Sequence, residues 1–111
     1  MRFEDNKVGT VLVAKVLDER IAADVTPQFK AQLAGYLKSG ERDIVLDLSA
    51  VTFIDSSGLG ALIGSLKAIG NDGHFVIAGA RGTVATMFKL TRMDKVLRLF
   101  ATAEEAVASI S

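Results

Sequence analysis

Two short, largely apolar runs, separated by segments with helical periodicity, constrain the fold more than any other feature of the chain. Residues 44–48 (IVLDL) and 74–78 (HFVIA) each have the length and composition of a strand buried on both faces. A third run, residues 8–16, is rich in β-branched side chains and also predicts a strand. We expect residues 3–6 to pair with it across a turn containing Gly9. A sheet with a covered centre therefore has to form.

The segments between these strands place apolar residues at the spacing of α-helices. The first helix is expected to begin at Asp24 or Thr26 as its N-cap and to stop at Gly40. A second helix is predicted over residues 57–69, and a third opens at Gly82 or Thr83. Residues 96–100 alternate like an edge strand. The buried face of the first helix is predicted to consist of Val25, Phe29, Leu33, Tyr36 and Leu37. The buried face of the third helix is predicted to include Val84, Met87, Phe88 and Thr91. The last helix is predicted to begin with a capping box of Thr102 and Glu105 and to contain Val107 and Ile110.

The order of these elements predicts the fold class. Two strands are followed by three helix–strand repeats and a closing helix, which is typical of an α/β protein. We expect a mixed, largely parallel β-sheet, begun by an N-terminal strand pair and covered by about four α-helices. The chain has 111 residues, a common domain size, so residues 1–111 are predicted to form one domain.

Composition excludes several classes of function. The chain has 13 basic and 13 acidic residues, so it lacks the cationic excess expected for direct nucleic-acid binding. It has no cysteine, which removes disulfides and thiol catalysis. No apolar run approaches the roughly 20 residues of a membrane helix, and acidic residues occupy the place of a signal sequence. We expect a cytoplasmic protein without a membrane association.

The junction after the second predicted strand is the longest and most unusual in the chain. It ends in Asp55-Ser56-Ser57-Gly58 and leads directly into a helix. In an open α/β sheet, function concentrates where strands end and helices begin. A helix cap accounts for one Asp or Ser at this point, whereas three such residues stand in line. This excess makes the junction the leading candidate for a functional site.

The helix after this junction has small residues where a solvent-exposed face normally carries charged ones. Leu59, Leu62, Ile63 and Leu66 are spaced to form its buried face. Interior glycine costs a helix about 1 kcal/mol relative to alanine. The opposite side carries Ser57, Gly60, Ala61, Gly64 and Ala68. A smooth, uncharged face of this kind favours docking of a partner, although chance in a Gly- and Ala-rich sequence is the alternative.

Catalysis has little support in the sequence. The glycines of residues 58–64 superficially match a dinucleotide-binding pattern, but they do not follow a strand directly, and the required acidic residue is missing. His74 is the only histidine, and no activating base is evident for Ser56 or Ser57. Asp47 and Asp55 flank one junction and are too few to define a cation site. We predict a protein that is not an enzyme and needs no cofactor or metal.

Three segments carry a resemblance to a known family. They are residues 45–48 (VLDL), residues 53–60 (FIDSSGLG) and residues 91–96 (TRMDKV). With these segments the chain resembles the STAS-domain anti-sigma factor antagonists, also called anti-anti-sigma factors. The likeness covers almost the whole chain and extends to the helix start at residues 102–106.

The resemblance implies a phosphorylation-controlled partner switch. In this family an anti-sigma factor that is also a serine kinase phosphorylates the serine directly after the motif's aspartate, which is Ser56 here, with Ser57 as the alternative acceptor. The unphosphorylated antagonist binds the anti-sigma factor and thereby regulates transcription or another output. A PP2C-type serine phosphatase reactivates the phosphorylated form. The alternative is a STAS subunit of a transporter or signalling scaffold that is never phosphorylated.

One position departs from the family pattern. Ala22 stands where relatives carry an acidic residue that can contact the kinase, and Asp24, or Asp18 and Glu19, could replace it. The partner-binding residues expected from the sequence are therefore Asp24, Asp55, Ser56, Ser57, Gly58, Gly60, Ala61, Gly64 and Ala68.

Overall fold

A computed structural model of the protein describes residues 1–110. It contains seven strands, four α-helices and two short 3-10 turns, at Gly70–Asp72 and Met93–Lys95. The strands are β1 (Phe3–Val8), β2 (Val11–Val16), β3 (Arg20–Ile21), β4 (Asp43–Asp47), β5 (Phe53–Ile54), β6 (His74–Ala78) and β7 (Leu99–Phe100), and the helices are α1 (Thr26–Lys38), α2 (Ser56–Ile69), α3 (Gly82–Leu90) and α4 (Ala103–Ile110).

Five strands form one mixed sheet in the order β1-β2-β4-β6-β7. The first pair is an antiparallel hairpin, and every later pairing in this sheet is parallel. The predicted fold class is therefore confirmed. Gly9 lies in the hairpin turn with a φ of 63°, a conformation that glycine adopts without steric cost. The predicted strand boundary is wrong by three residues, because Val8 ends β1 and pairs with Val11 at the start of β2.

The two faces of the sheet are covered unequally. Residues of α1, α2 and α3 share one apolar core with Ile44 and Leu46 of β4. Val45 points to the other face, where a smaller cluster contains the buried Ala106 of α4. This alternation is what a central strand buried on both faces requires. The predicted edge strand at residues 96–100 is shorter than expected, since only Leu99–Phe100 pairs with β6.

Helix α1 begins without a side-chain cap, so the predicted N-caps Asp24 and Thr26 are both wrong. The N-cap position is Val25, which makes no side-chain hydrogen bond to the helix. Thr26 is already the first helical residue, and its hydroxyl, in a residue only 5% exposed, donates to the carbonyl of Ala22. Thr26 is buried and contacts Ser57 of α2, a long-range contact that the sequence does not reveal.

A second, two-stranded sheet positions the junction singled out above. Strands β3 and β5 pair in parallel, with Ile21 opposite Ile54. The amide of Asp55 continues this pairing by donating to the carbonyl of Ile21 at 3.1 Å. This pair brings the segment before α1 against the segment before α2. The sequence predicted neither short strand, because two residues carry no periodicity.

Candidate functional site

The first turn of α2 is held by the carboxylate of Asp55, which is the N-cap of the helix. Oδ1 accepts a hydrogen bond from the backbone N–H of Gly58 at 3.0 Å and one from the hydroxyl of Ser57 at 2.6 Å. Oδ2 accepts the N–H of Ala23 at 3.0 Å, across the chain from the segment before α1. Asp55 therefore joins the starts of two helices.

These hydrogen bonds lower the pKa of Asp55 below its usual value. The bond from Ser57 is the largest cause, followed by the backbone N–H of Gly58; burial opposes them, and the N–H of Ala23 lowers the pKa by less than burial raises it. All three donors favour the charged form of the carboxyl group. Asp55 is consequently an anion at neutral pH, beside the N-terminus of a helix that favours negative charge.

Ser57 is committed to the same network. Its one hydroxyl proton goes to Asp55, and its oxygen lies 2.9 Å from the hydroxyl oxygen of Thr26, whose single proton can point either to Ser57 or to the carbonyl of Ala22. Ser57 is half-buried, and Thr26 is buried. The Ser57 hydroxyl is thus committed as a donor to Asp55 and is in contact with the hydroxyl of Thr26. Thr26 is a contributor that sequence analysis assigned only to helix capping.

Ser56 differs from its neighbour in every one of these respects. It is the first residue of α2 and is exposed to solvent. Within residues 1–110 its hydroxyl takes no part in the hydrogen bonds that fix Asp55 and Ser57. Two adjacent serines therefore have separate properties: the Ser57 hydroxyl is held by the fold, whereas the Ser56 hydroxyl is available to another molecule.

The acidic residues considered as substitutes for Ala22 are not equally placed. Asp18 is half-buried and accepts the N–H of Arg2 at 2.7 Å, so its carboxylate ties down the start of the hairpin. Asp24 is exposed, with its carboxylate 4.0 Å from Arg20, and it adjoins Ala23, which is bonded to Asp55. Glu19 is exposed, and its carbonyl accepts the amide of Thr52 at 2.7 Å. Asp24 is therefore the carboxylate that the chain brings beside the site.

Gly58 is buried, so it belongs to the fold rather than to an accessible surface. A Cβ atom added there would lie 2.7 Å from Cγ1 of Ile54 and 2.9 Å from Cγ2 of Ile21. Both contacts are closer than real Cβ atoms approach. The glycine lets the start of α2 pack directly on the β3–β5 pair. Gly58 therefore offers a partner little surface, and its predicted partner contact stays a prediction.

The predicted small-residue face of α2 is only partly exposed. Gly60, Gly64 and Ala68 are open to solvent, but Ala61 is only 4% exposed and belongs to the core. The predicted exposure of Ala61 is wrong because α1 packs against α2 and covers a side of the helix that periodicity assigned to solvent. For the same reason the predicted buried face is shifted, and Ile63 and Leu66 are only half-buried.

Other candidate chemistry does not assemble. Within residues 1–110 no group of three or more His, Cys, Asp and Glu side chains could hold a metal ion. Asp47 accepts the N–H of Ser49 at 2.9 Å, and Asp55 is occupied as described. His74 lies at the start of β6, where its Nδ1 is 2.8 Å from Asp43. Among the helices of the described residues, none is long and apolar enough to span a membrane.

Comparison with known proteins places this fold and junction in one family. The STAS domain family matches residues 6–106. An anti-sigma-B factor antagonist of Staphylococcus aureus is 31% identical over 74 residues, which is 66% of this chain and 68% of that protein. A crystal structure of an anti-sigma factor antagonist from Mycobacterium paratuberculosis superposes with a TM-score of 0.90 at 25% identity, covering 98% of this chain and 92% of the other.

A Thermotoga maritima protein described as an anti-sigma factor antagonist is also similar, with a TM-score of 0.87 and 26% identity over 97% of this chain and 93% of the other. The α/β fold with its N-terminal hairpin, together with the helix start at Asp55, is thus that of a STAS domain. The chain belongs to the STAS domain family, and its homologues include anti-sigma factor antagonists.

Proposed function

We propose that the protein is an anti-sigma factor antagonist whose binding to an anti-sigma factor is switched by phosphorylation of Ser56. The observation that carries the proposal is the contrast between the two serines. Ser56 offers an exposed hydroxyl at the first residue of α2, and Ser57 is held between Asp55 and Thr26. A kinase needs an accessible hydroxyl, so this contrast favours Ser56 over the alternative Ser57.

The charge distribution supports a switch that changes binding without unfolding the protein. A phosphoserine carries about −1.5 to −2 charges at neutral pH. Placed at residue 56, this charge lies at a helix N-terminus, which favours it by about 0.3–1 kcal/mol. It also lies next to the ionised Asp55, whose carboxylate accepts the N–H of Ala23, the neighbour of the exposed Asp24. We call the surface formed by Asp24, Asp55 and Ser56 the corner. A partner that docks there would have to desolvate the concentrated negative charge, at a large cost in free energy.

The proposal includes the remaining features that the family resemblance implies. The partner is an anti-sigma factor that is also a serine kinase, and a PP2C-type phosphatase restores the binding form. The protein acts in the cytoplasm by binding, as a single domain, and performs no catalysis itself. Asp24, Asp55 and Ser56 form the centre of the partner surface, with Gly60, Gly64 and Ala68 continuing it along α2.

Phosphosite mapping tests the proposed acceptor. The purified chain is incubated with ATP and the anti-sigma factor kinase that co-purifies with the Ser56→Ala variant from the source cells. We expect phosphate on Ser56 in the wild type and in Ser57→Ala, which serves as the matched control, and none in Ser56→Ala. Phosphate on Ser57 would reassign the switch. Phosphate on neither serine would contradict the proposal and favour an unphosphorylated transporter or scaffold subunit.

Calorimetry with the same kinase tests the consequence for binding. Ser56→Ala should bind as tightly as the unphosphorylated wild type and should do so whether or not ATP is present. Ser56→Asp should bind at least about tenfold more weakly, which corresponds to about 1.4 kcal/mol. Equal affinities of these two variants would show that charge at residue 56 does not control docking.

A further inference from the structure

A small apolar concavity lies beside the candidate site and is not used by the proposed switch. We call it the α3 groove; it has a volume of about 260 Å³ and is lined by Phe53, Ile54, Thr83, Thr86, Met87 and Leu90. The helical members stand at positions i, i+3, i+4 and i+7, so they form one face of α3. No charged side chain lines the groove.

The rim of the groove holds apolar side chains that are unusually exposed. Leu90 is 75% exposed and Phe53 is 45% exposed. Single exposed apolar residues are common and need no explanation. Here the two of them border the same concavity, beside Met87. An apolar concavity flanked by exposed large side chains is the form that a docking surface for another apolar side chain takes.

The surroundings of the groove are cationic. The guanidinium of Arg20 lies 5.6 Å from the centre of the Phe53 ring, although the carboxylate of Asp24, 4.0 Å away, offsets part of its charge. Helix α3 contains Lys89 and no carboxylate, and the turn after it adds Arg92 and Lys95 against Asp94. A complementary partner would present an apolar side chain with carboxylates on either side, because opposite charges at the rim steer association.

The groove is continuous with the corner that contains Ser56. Phe53 and Ile54 form β5, and Asp55 and Ser56 follow directly in the chain. The hydroxyl of Thr83 donates to the carbonyl of Thr52, which fixes the start of α3 against the residue before β5. A protein that covers Ser56 therefore has the α3 groove within the same contact area.

We propose that the partner that covers Ser56 also inserts an apolar side chain, flanked by carboxylates, into the α3 groove. This inference rests on the proposed function and adds a second contact to it. No charged side chain lines the groove, so phosphorylation of Ser56 leaves its lining unchanged. The partner is thus anchored at the groove and switched at Ser56, two contacts that can be mutated separately.

Titration calorimetry with the anti-sigma factor kinase that phosphorylates Ser56 tests the inference. Leu90→Glu places a charge at the rim, and the exposure of Leu90 leaves the fold intact, which a thermal melt checks. We expect a dissociation constant at least about tenfold higher. The control Val8→Glu, at an apolar residue 43% exposed in the hairpin, should change affinity by less than about twofold.

A charge reversal tests the acidic character of the partner. Lys89→Glu should weaken binding about threefold at low salt and less at high salt, because exposed charges are screened. The exposed Lys38→Glu at the end of α1 is its control and should have a smaller effect. If both charge reversals change the affinity equally, the partner does not present carboxylates beside the α3 groove.

Several outcomes would overturn the inference. If Leu90→Glu binds like the wild type while Ser56→Asp is weakened, the groove is not a contact and the proposed function stands. If no kinase phosphorylates Ser56 or Ser57, the proposed function and this inference are both contradicted. Sedimentation that shows a wild-type dimer dissociated by Leu90→Glu would assign the groove to a second copy. Leu90-dependent cosedimentation with phosphatidylglycerol vesicles would assign it to a membrane surface.

Discussion

The first turn of α2 and the exposed stripe further along the same helix differ in what holds each residue in place. In the first turn, Asp55 accepts hydrogen bonds from Ser57, Gly58 and Ala23, and a Cβ at Gly58 would collide with two isoleucines. In the stripe, added Cβ atoms at Gly60 and Gly64 would meet nothing within 4 Å. Packing and hydrogen bonds within the fold therefore explain the residues of the first turn. They do not explain why the stripe has glycine at residues 60 and 64.

This difference separates a glycine that the fold requires from two glycines of the same helix that it does not. Gly58 is required because the helix start packs directly on β3 and β5. Gly60 and Gly64 cost helix stability, by about 1 kcal/mol each relative to alanine, and no internal contact in residues 1–110 requires them. Close approach by another protein is a role that fits such exposed glycines. Along α2, the proposed partner surface therefore continues over glycines that the fold itself does not need.

Asp55→Ala should have the largest effect on stability of the variants in these two parts of α2. The substitution removes the acceptor for three hydrogen bonds and disconnects the segment before α1 from α2, so we expect the free energy of unfolding to fall by about 2 kcal/mol. Urea denaturation measures the change. Asp24→Ala is the control, since an exposed carboxylate should contribute less than about 0.5 kcal/mol. Similar losses in both variants would contradict the role assigned to Asp55.

Gly58→Ala should destabilise the protein by about 1–2 kcal/mol. Overpacking against Ile54 and Ile21 costs about 1–3 kcal/mol, and the better helix propensity of alanine offsets part of it. Chemical denaturation of Gly58→Ala and Gly60→Ala side by side measures the contrast. A Gly58→Ala variant as stable as Gly60→Ala would show that the close contact relaxes without cost.

The hydrogen-bonded turn should also give stability a specific pH dependence. Because the pKa of Asp55 is lower in the folded protein than the unfolded value of about 3.9, its charged form stabilises the fold above that pH. This stabilisation is lost as the pH falls through the folded pKa. The stability difference between wild type and Asp55→Asn should therefore shrink from pH 6 to pH 3. A difference independent of pH in urea titrations would contradict this.

The smallest effect is expected in the exposed stripe. Gly60→Ala and Gly64→Ala should each stabilise the protein by about 0.5–1 kcal/mol, since an alanine there meets no neighbour. The same variants should weaken binding to the anti-sigma factor kinase if the partner backbone approaches these glycines. Thermal melts and calorimetry measure both quantities. Stabilised variants with unchanged affinity would exclude the stripe from the interface.

Sequence patterns predicted the sheet and the start of α2 because both depend on short-range regularity. The apolar runs at residues 44–48 and 74–78 are the buried strands β4 and β6, within one residue of their observed ends. Asp55 is the N-cap that its residue type suggested. Helical periodicity was misleading where α2 packs on both the sheet and α1, as at Ala61. The periodic pattern predicts one buried face for the helix, and the contact with α1 buries a second one.

The sequence by itself determined the class of fold, the family motif and the position of the candidate junction, because each depends on residue type and local spacing. The family resemblance ranked Ser56 before Ser57, but only the tertiary structure gave the physical difference between these serines, between Gly58 and Gly60, and between Asp24 and Asp18. The residues in each pair have the same chemistry along the chain. They differ in what the β3–β5 pair, the hairpin and α1 bring against them, and such long-range contacts leave no local pattern in the sequence.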